Sequence, residues 1–184
     1  MPDKHTHVCS VTLAGGLDNR FRRWFQNPRK ILSPYVREGM TAIDYGCGPG
    51  FFTLDMAALV GESGHVIAAD IQRGMLDIVA EKLRKNGLEK RVTPHLCTPD
   101  AKIAEKADFV LLFYMVHEVP DKAALFADLA SILKPDGRIL VVEPPFHVSK
   151  KDFAAELDTA AAAGLKVLAH PYAGRFNKTA LLQV

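Results

Sequence analysis

Carboxylates and glycines give this chain its strongest chemical pattern. Asp44-Tyr45-Gly46-Cys47-Gly48-Pro49-Gly50-Phe51 places three glycines at alternate positions directly after a short apolar run. Glycine permits a tight turn and lets a ligand approach the main chain, because no Cβ stands in the way. Helical spacing from Phe51 onward would aim unpaired N–H groups into the same space. Asp70 closes the next apolar run, and a carboxylate is suited to accepting two hydrogen bonds from a vicinal diol. Further along, Tyr114, His117 and Glu118 gather a phenol, an imidazole and a carboxyl in one short segment. These are the groups of general acid–base chemistry.

Two phosphate-binding loops fail on the residues present. The dinucleotide pattern Gly-x-Gly-x-x-Gly, counted from Gly46, requires Gly or Ala at position 51, and the bulky Phe51 stands there. A P-loop requires Gly-Lys-Ser/Thr, which the chain lacks. His5-x-His7-x-Cys9 offers three ligands on one side of an extended arm. It has no matching second pair, so no metal is expected and the arm is read as plain.

The elements that must position these groups alternate in type. Residues 1–17 have no clear period and are expected to form an N-terminal arm. Apolar residues from Asp18 to Tyr35 have helical spacing interrupted at Asn27-Pro28, so two short helices are expected to meet at Asn27. Thr41–Tyr45, His65–Asp70, Arg91–Cys97, Asp108–Phe113 and Arg138–Glu143 read as strands. Pro94 assigns the third of them to an edge. Helices are expected from Phe51 to Val60, Gly74 to Asn86, Asp121 to Leu133 and Ser149 to Ala163, and Lys134-Pro-Asp-Gly137 reads as a turn. Leu165–His170 and Arg175–Val184 are separated by too few residues for a crossover, so they should form an antiparallel hairpin. The sum is an α/β, Rossmann-like, doubly wound sheet of seven strands, mostly parallel. The chain is expected to be a single domain over 1–184, with the N-terminal helices at 18–38 and the core at 39–184.

From Asp18 to Val184 this order of motifs resembles the class I S-adenosylmethionine-dependent methyltransferases, in the small-molecule group related to quinone-biosynthesis enzymes. The resemblance implies that Asp44, Tyr45, Gly46, Cys47, Gly48 and Gly50 form the loop around the methionine part of S-adenosylmethionine. It also implies that Asp70 binds the ribose hydroxyls and that Ile71 and Met75 flank the adenine. Thr98 and Asp100 would reach the adenine edge, although Pro99 displaces Asp100 from the usual place and it can equally cap a helix. Phe113 to Val119 would separate cofactor from acceptor. Leu133-Lys-Pro-Asp-Gly resembles the family's Leu-Lys-Pro-Gly-Gly turn. S-adenosylhomocysteine would be the product. His117, then Glu118 or Tyr114, are the candidates for a general base, with structural roles open for each.

Composition narrows the setting. The chain has 184 residues, 48% hydrophobic and 24% charged, which suits a folded domain and leaves no apolar run of spanning length. The start, Met1-Pro-Asp-Lys-His5, lacks a signal-peptide core, so a cytoplasmic location and no membrane partner are expected. Three scattered cysteines make no disulfide framework. Net charge is only +2, but Arg20, Arg22, Arg23, Arg29 and Lys30 cluster beside Trp24 and Phe25. That cluster reads as a solvated face or a nucleic-acid contact. No Asn/Asp-Pro-Pro-Tyr/Phe sequence follows the fourth strand, which weighs against adenine or glutamine as acceptor. A small-molecule acceptor is therefore expected. RNA or protein acceptors, a non-catalytic cofactor-binding module and other chemistry on the same fold stay open, and nothing bears on oligomeric state.

Overall fold

A computed structural model describes residues 26–184. The expected arm, the helix from Asp18, the His5-x-His7-x-Cys9 pattern and the residues Arg20, Arg22, Arg23, Trp24 and Phe25 lie outside the described residues. Seven strands and five α-helices follow in this order: α1 (Pro28–Leu32), β1 (Thr41–Tyr45), α2 (Thr53–Val60), β2 (His65–Asp70), α3 (Arg73–Asn86), β3 (Val92–Leu96), β4 (Ala107–Phe113), α4 (Lys122–Ile132), β5 (Leu133–Glu143), α5 (Lys150–Ala162), β6 (Lys166–Ala169) and β7 (Lys178–Gln183). They make one sheet of order β3-β2-β1-β4-β5-β7-β6. Strands β1 to β5 run parallel, and β7 lies antiparallel to both β5 and β6. This is the expected Rossmann-like sheet with its antiparallel hairpin. None of the described helices is long and apolar enough to cross a membrane.

Side-chain alternation along the central strands builds two cores. Phe109, Leu111 and Phe113 of β4 face α1, α2 and α3, while Val110 and Leu112 face α4 and α5. Asn27 caps α1, with its side chain accepting the Lys30 N–H at 3.1 Å, and Arg29 and Lys30 are exposed there. β3 is an edge strand whose Pro94 is exposed, as its missing N–H requires. Asp108 ties three strands at the amino end of the sheet. Its Oδ2 accepts the Thr41 N–H at 2.8 Å and the Lys134 ammonium at 2.7 Å.

Two local expectations are corrected. Lys134-Pro-Asp-Gly137 is not a turn before β5 but part of it, because pairing begins at Ala107 with Leu133 and resumes at Phe109 with Arg138. The longer stretch of β5 bulges over the start of β4. Gly137 makes this possible, since a Cβ there would stand 2.8 Å from the Ala107 carbonyl oxygen. Helix α2 begins at Thr53 rather than Phe51, because Phe51 and Phe52 are drawn into the core as an edge-to-face pair.

Helix α5 opens on a capping box between Ser149 and Asp152 and buries Phe153, Glu156 and Ala160. Glu156 is anomalous among them. Its Oε2 is buried without a hydrogen-bond partner among the described residues, and burial, followed by the nearby Glu143 charge, raises its pKa from the ordinary 4.5 to about 7. Between those values the folded protein holds a proton that the unfolded chain releases, so stability falls as pH rises through this window. Replacing Glu156 with Gln removes that slope. In urea titrations the variant should gain on the parent between about pH 5 and pH 8. A constant difference across that range would show that Glu156 is not protonated in the fold.

Candidate functional site

The sheet order reverses between β1 and β4, and parallel sheets open a crevice at such a switch point, beyond the carboxyl ends of their strands. A cleft of about 1130 Å³ lies there, with Asp44, Gly48, Asp70, Met75, Phe113 and His117 among its walls. Its floor is the loop between β1 and α2. The Gly46 and Cys47 N–H groups both donate to the Ala69 carbonyl, at 2.8 and 3.0 Å, which pins the loop to β2. Asp44 is buried at the end of β1, and its Oδ2 accepts the Thr53 hydroxyl at 2.6 Å, fixing the first turn of α2 beneath the loop.

Asp70 completes this floor. Its Oδ2 accepts the Gly48 N–H and its Oδ1 the Gln72 N–H, each at 2.8 Å. Each oxygen retains a lone-pair direction for a further donor. Gly48 has a φ of +51°, and a Cβ at this position would meet nothing within 4 Å. The loop is thus an open cradle whose surface here is bare backbone. At Gly46, with φ +74°, a side chain would instead press against the Met115 Cβ at 3.0 Å. Gly50 shapes the loop without lining the cleft.

The remaining predicted residues divide. Met75 is buried and Ile71 is 59% exposed, and both line the cleft. Thr98 lines it too, whereas Asp100 is exposed on the turn bridging Thr98 and Ala101 and does not. Tyr45 and Cys47 face the cleft, as does Cys97. Burial raises the Tyr45 phenol and both thiols above their ordinary values, so all three stay protonated near neutrality. Such thiols are weak nucleophiles. Phe113 packs its ring against Phe52 and Tyr114.

Tyr114, His117 and Glu118 all line the cleft. Tyr114 adopts φ +60°, an uncommon conformation for a side chain of its size. Its hydroxyl accepts from Gln26 Nε2 at 2.5 Å and donates to Asn177 Oδ1 at 2.7 Å. His117 and Glu118 sit on a single 3₁₀ turn, Val116–Glu118. That turn is held by Glu143, the last residue of β5, which is fully buried. Glu143 Oε1 accepts the Val116 N–H at 2.9 Å, and Oε2 accepts a hydrogen bond from His117 Nδ1. With Nδ1 carrying that proton, Nε2 is the lone-pair nitrogen of the neutral ring. The hydrogen bond to Glu143 raises the His117 pKa, against the opposing effect of burial. Burial raises the Glu118 pKa as well.

Sequence reasoning missed Glu143 and His147. The His147 ring stands edge-on to His117, with centroids 6.0 Å apart, and also lines the cleft. A signal for Glu143 existed. Like Asp70, it is an acid that ends a buried apolar strand at the carboxyl edge of the sheet. His147 carries no comparable signal, since only the path of the segment after β5 brings it back to the cleft. No group of three His, Cys, Asp or Glu among the described residues is arranged to hold a metal ion.

Comparison with known proteins bears on the whole arrangement. Residues 36–172 match a family described as a methyltransferase domain. The ubiquinone/menaquinone biosynthesis C-methyltransferase UbiE of Vibrio campbellii is 34% identical over 142 residues, 74% of this chain and 51% of that protein. A demethylmenaquinone methyltransferase of Lactobacillus johnsonii is 31% identical over 145 residues, 76% of this chain and 56% of that one. The chain therefore spans about half the length of these relatives. Among solved structures, a SAM-dependent methyltransferase from Aquifex aeolicus superposes with a TM-score of 0.85 at 25% identity, covering 96% of this chain and all of the other. The [4+2]-cyclase SpnF, at 18% identity and a TM-score of 0.66 over 78% of this chain and 58% of its own, shares the fold alone. On the family match and the two relatives, this chain belongs to the methyltransferase-domain family.

Proposed function

We propose that the protein binds S-adenosylmethionine in the cleft and methylates a small-molecule acceptor placed against His117. The observation that carries this reading is the Asp70 carboxylate joined to the open Gly48 cradle at the switch point of the sheet. The residues present suit the cofactor. Asp70 keeps acceptor capacity for the ribose hydroxyls, Ile71 and Met75 offer an apolar wall for the adenine, and Gly46 to Gly48 leave bare backbone for the methionine part. Thr98, which also lines the cleft, would reach the adenine edge. S-adenosylmethionine supplies an electrophilic methyl on a sulfonium, so the chain's own task is to orient reactants and manage a proton.

His117 is suited to that proton. Glu143 fixes the ring by Nδ1 and leaves Nε2 to take a proton from the nucleophilic atom of the acceptor. The same carboxylate stabilises the imidazolium that results. Glu118 borders the same space, and burial raises its pKa, which favours the neutral acid that can donate a hydrogen bond. Tyr114 has its hydroxyl bonded to Gln26 and Asn177 and serves as a wall that ties the 171–177 segment to the cleft. The names of the two relatives point to a quinone-related ring as acceptor. Met115, Val119, Pro120 and Pro144, which line the cleft, offer apolar surface to a ring of that kind.

Calorimetric titration with S-adenosylmethionine and S-adenosylhomocysteine tests the cofactor reading. Binding should weaken at least about tenfold in Asp70→Ala, which loses charge-assisted hydrogen bonds. Folded parent protein that binds neither compound would sink the proposal.

The pH profile of kcat/KM tests the base. Only neutral His117 accepts a proton, so activity should rise with pH through a limb above the ordinary histidine value of 6.5. Glu143→Gln should move that limb to lower pH, and His117→Ala should cut kcat about a hundredfold or more. A limb that survives His117→Ala unchanged would assign the proton to another group.

A further inference from the structure

Phe146, Tyr172 and Phe176 are 92%, 81% and 69% exposed. Three such rings are unusual when they share one edge, and here they do. Phe146 follows β5 by three residues and Phe176 precedes β7 by two, and the two strands pair at Glu143 and Lys178. The two segments are also joined directly, by the Lys178 ammonium donating to the Pro145 carbonyl at 3.5 Å. Because β5 is parallel to β4, both segments lie at the carboxyl end of the sheet, the end that holds the cleft. Phe146 stands between Pro144 and His147, which line the cleft itself.

The two segments that carry these rings hold charges of one sign. Residues 144–151 and 170–178 contain Lys150, Lys151, Arg175, Lys178 and two histidines, and no Asp or Glu. Two acids flank the first segment: Glu143 is fully buried against Val116 and His117, and the Asp152 carboxylate is bonded in the helix cap with Ser149. The Arg175 guanidinium lies over the Phe176 ring, 4.8 Å from its centroid, pairing a cation with an apolar surface. Exposed aromatics among basic residues complement an anionic interface that is apolar just beneath its charges.

The cleft decides which anionic partner fits. Among the described residues, Asp44, Asp70, Glu118, Asp121 and Asp128 line it against a single lysine, Lys102, which is itself paired with Asp128 at 2.8 Å. A polyanionic strand drawn over the rim would meet these acids, whereas an apolar molecule leaving a bilayer would meet Met115, Val119, Pro120 and Pro144. We infer that the rim formed by Phe146, Tyr172, Phe176, Arg175 and Lys178 docks the protein on an anionic lipid surface, from which an apolar acceptor enters the cleft. This rests on the methyltransferase reading for the acceptor, and it departs from the sequence-based expectation of no membrane partner. The contact is peripheral and needs no spanning helix.

Sedimentation of the full chain with vesicles tests it. The protein should pellet with vesicles of phosphatidylcholine mixed with phosphatidylglycerol and stay in solution with phosphatidylcholine alone. Phe176→Ala should lower the vesicle-bound to free ratio about tenfold and Arg175→Gln about fivefold, both with unchanged urea midpoints. Absence of pelleting with the mixed vesicles, or equal pelleting of parent and both variants, would overturn the inference. So would a single-stranded RNA oligonucleotide that binds the parent, displaces the vesicles and is lost in the same variants. Titration with S-adenosylhomocysteine in parallel separates the two readings. Cofactor binding without vesicle binding removes only the docking surface, and vesicle binding without cofactor binding removes only the methyltransferase reading.

Discussion

Asp70 sits where two requirements of this sheet meet. The turn after β1 must reverse the chain tightly enough to feed α2, and the end of β2 must stay polar so that a crevice can open there. One carboxylate serves both, accepting the Gly48 N–H from the turn and the Gln72 N–H from the start of α3. Charge-assisted bonds to backbone donors contribute about 1.5–3 kcal/mol each. They also fix the register between the β1 turn and β2, which the Gly46 and Cys47 bonds to Ala69 reinforce. The walls of the cleft inherit their positions from this junction, since Met75 is carried on the α3 that it starts.

At the carboxyl end of β5 Glu143 has the corresponding role. Strands β2 and β5 both finish on an acid, and each acid holds the turn of a neighbouring connection. Glu143 differs in being fully buried, so its charge is compensated by the Val116 N–H and the His117 ring rather than by water. Breaking that pairing would leave an uncompensated buried group. The raised pKa of Glu156 follows from the same logic, since its own burial, and then the Glu143 carboxylate beside it, favour the neutral acid.

How much of this could be read in advance varies by residue. The seven strands, the edge position of β3 and the terminal hairpin follow from apolar period, Pro94 and a short connection. The bulge at Lys134–Gly137 does not, because Pro-Asp-Gly has the composition of a turn whether or not its flanks pair with a neighbour. The start of α2 at Thr53 does not follow from period either. Phe51 fits a helical period, but its ring and that of Phe52 pack as a pair before the helix begins. His147 and Glu156 carried no sequence signal, since each becomes notable only through what stands beside it in space.

The sequence by itself determined the alternation of elements, the glycine turn and the acid at the end of β2, because these depend on local periodicity and on backbone conformations open only to glycine. Tertiary structure alone decided which side chains meet. It placed Glu143 under His117 across two strand ends and set His147 edge-on to His117. It bound the Tyr114 hydroxyl to Gln26 and Asn177, and it left Asp100 outside the cleft. It also put Phe146 and Phe176 on one rim through the antiparallel pairing of β5 with β7. Such contacts join residues far apart in the chain, so the packing of two helical layers on the sheet, rather than any local pattern, selects them.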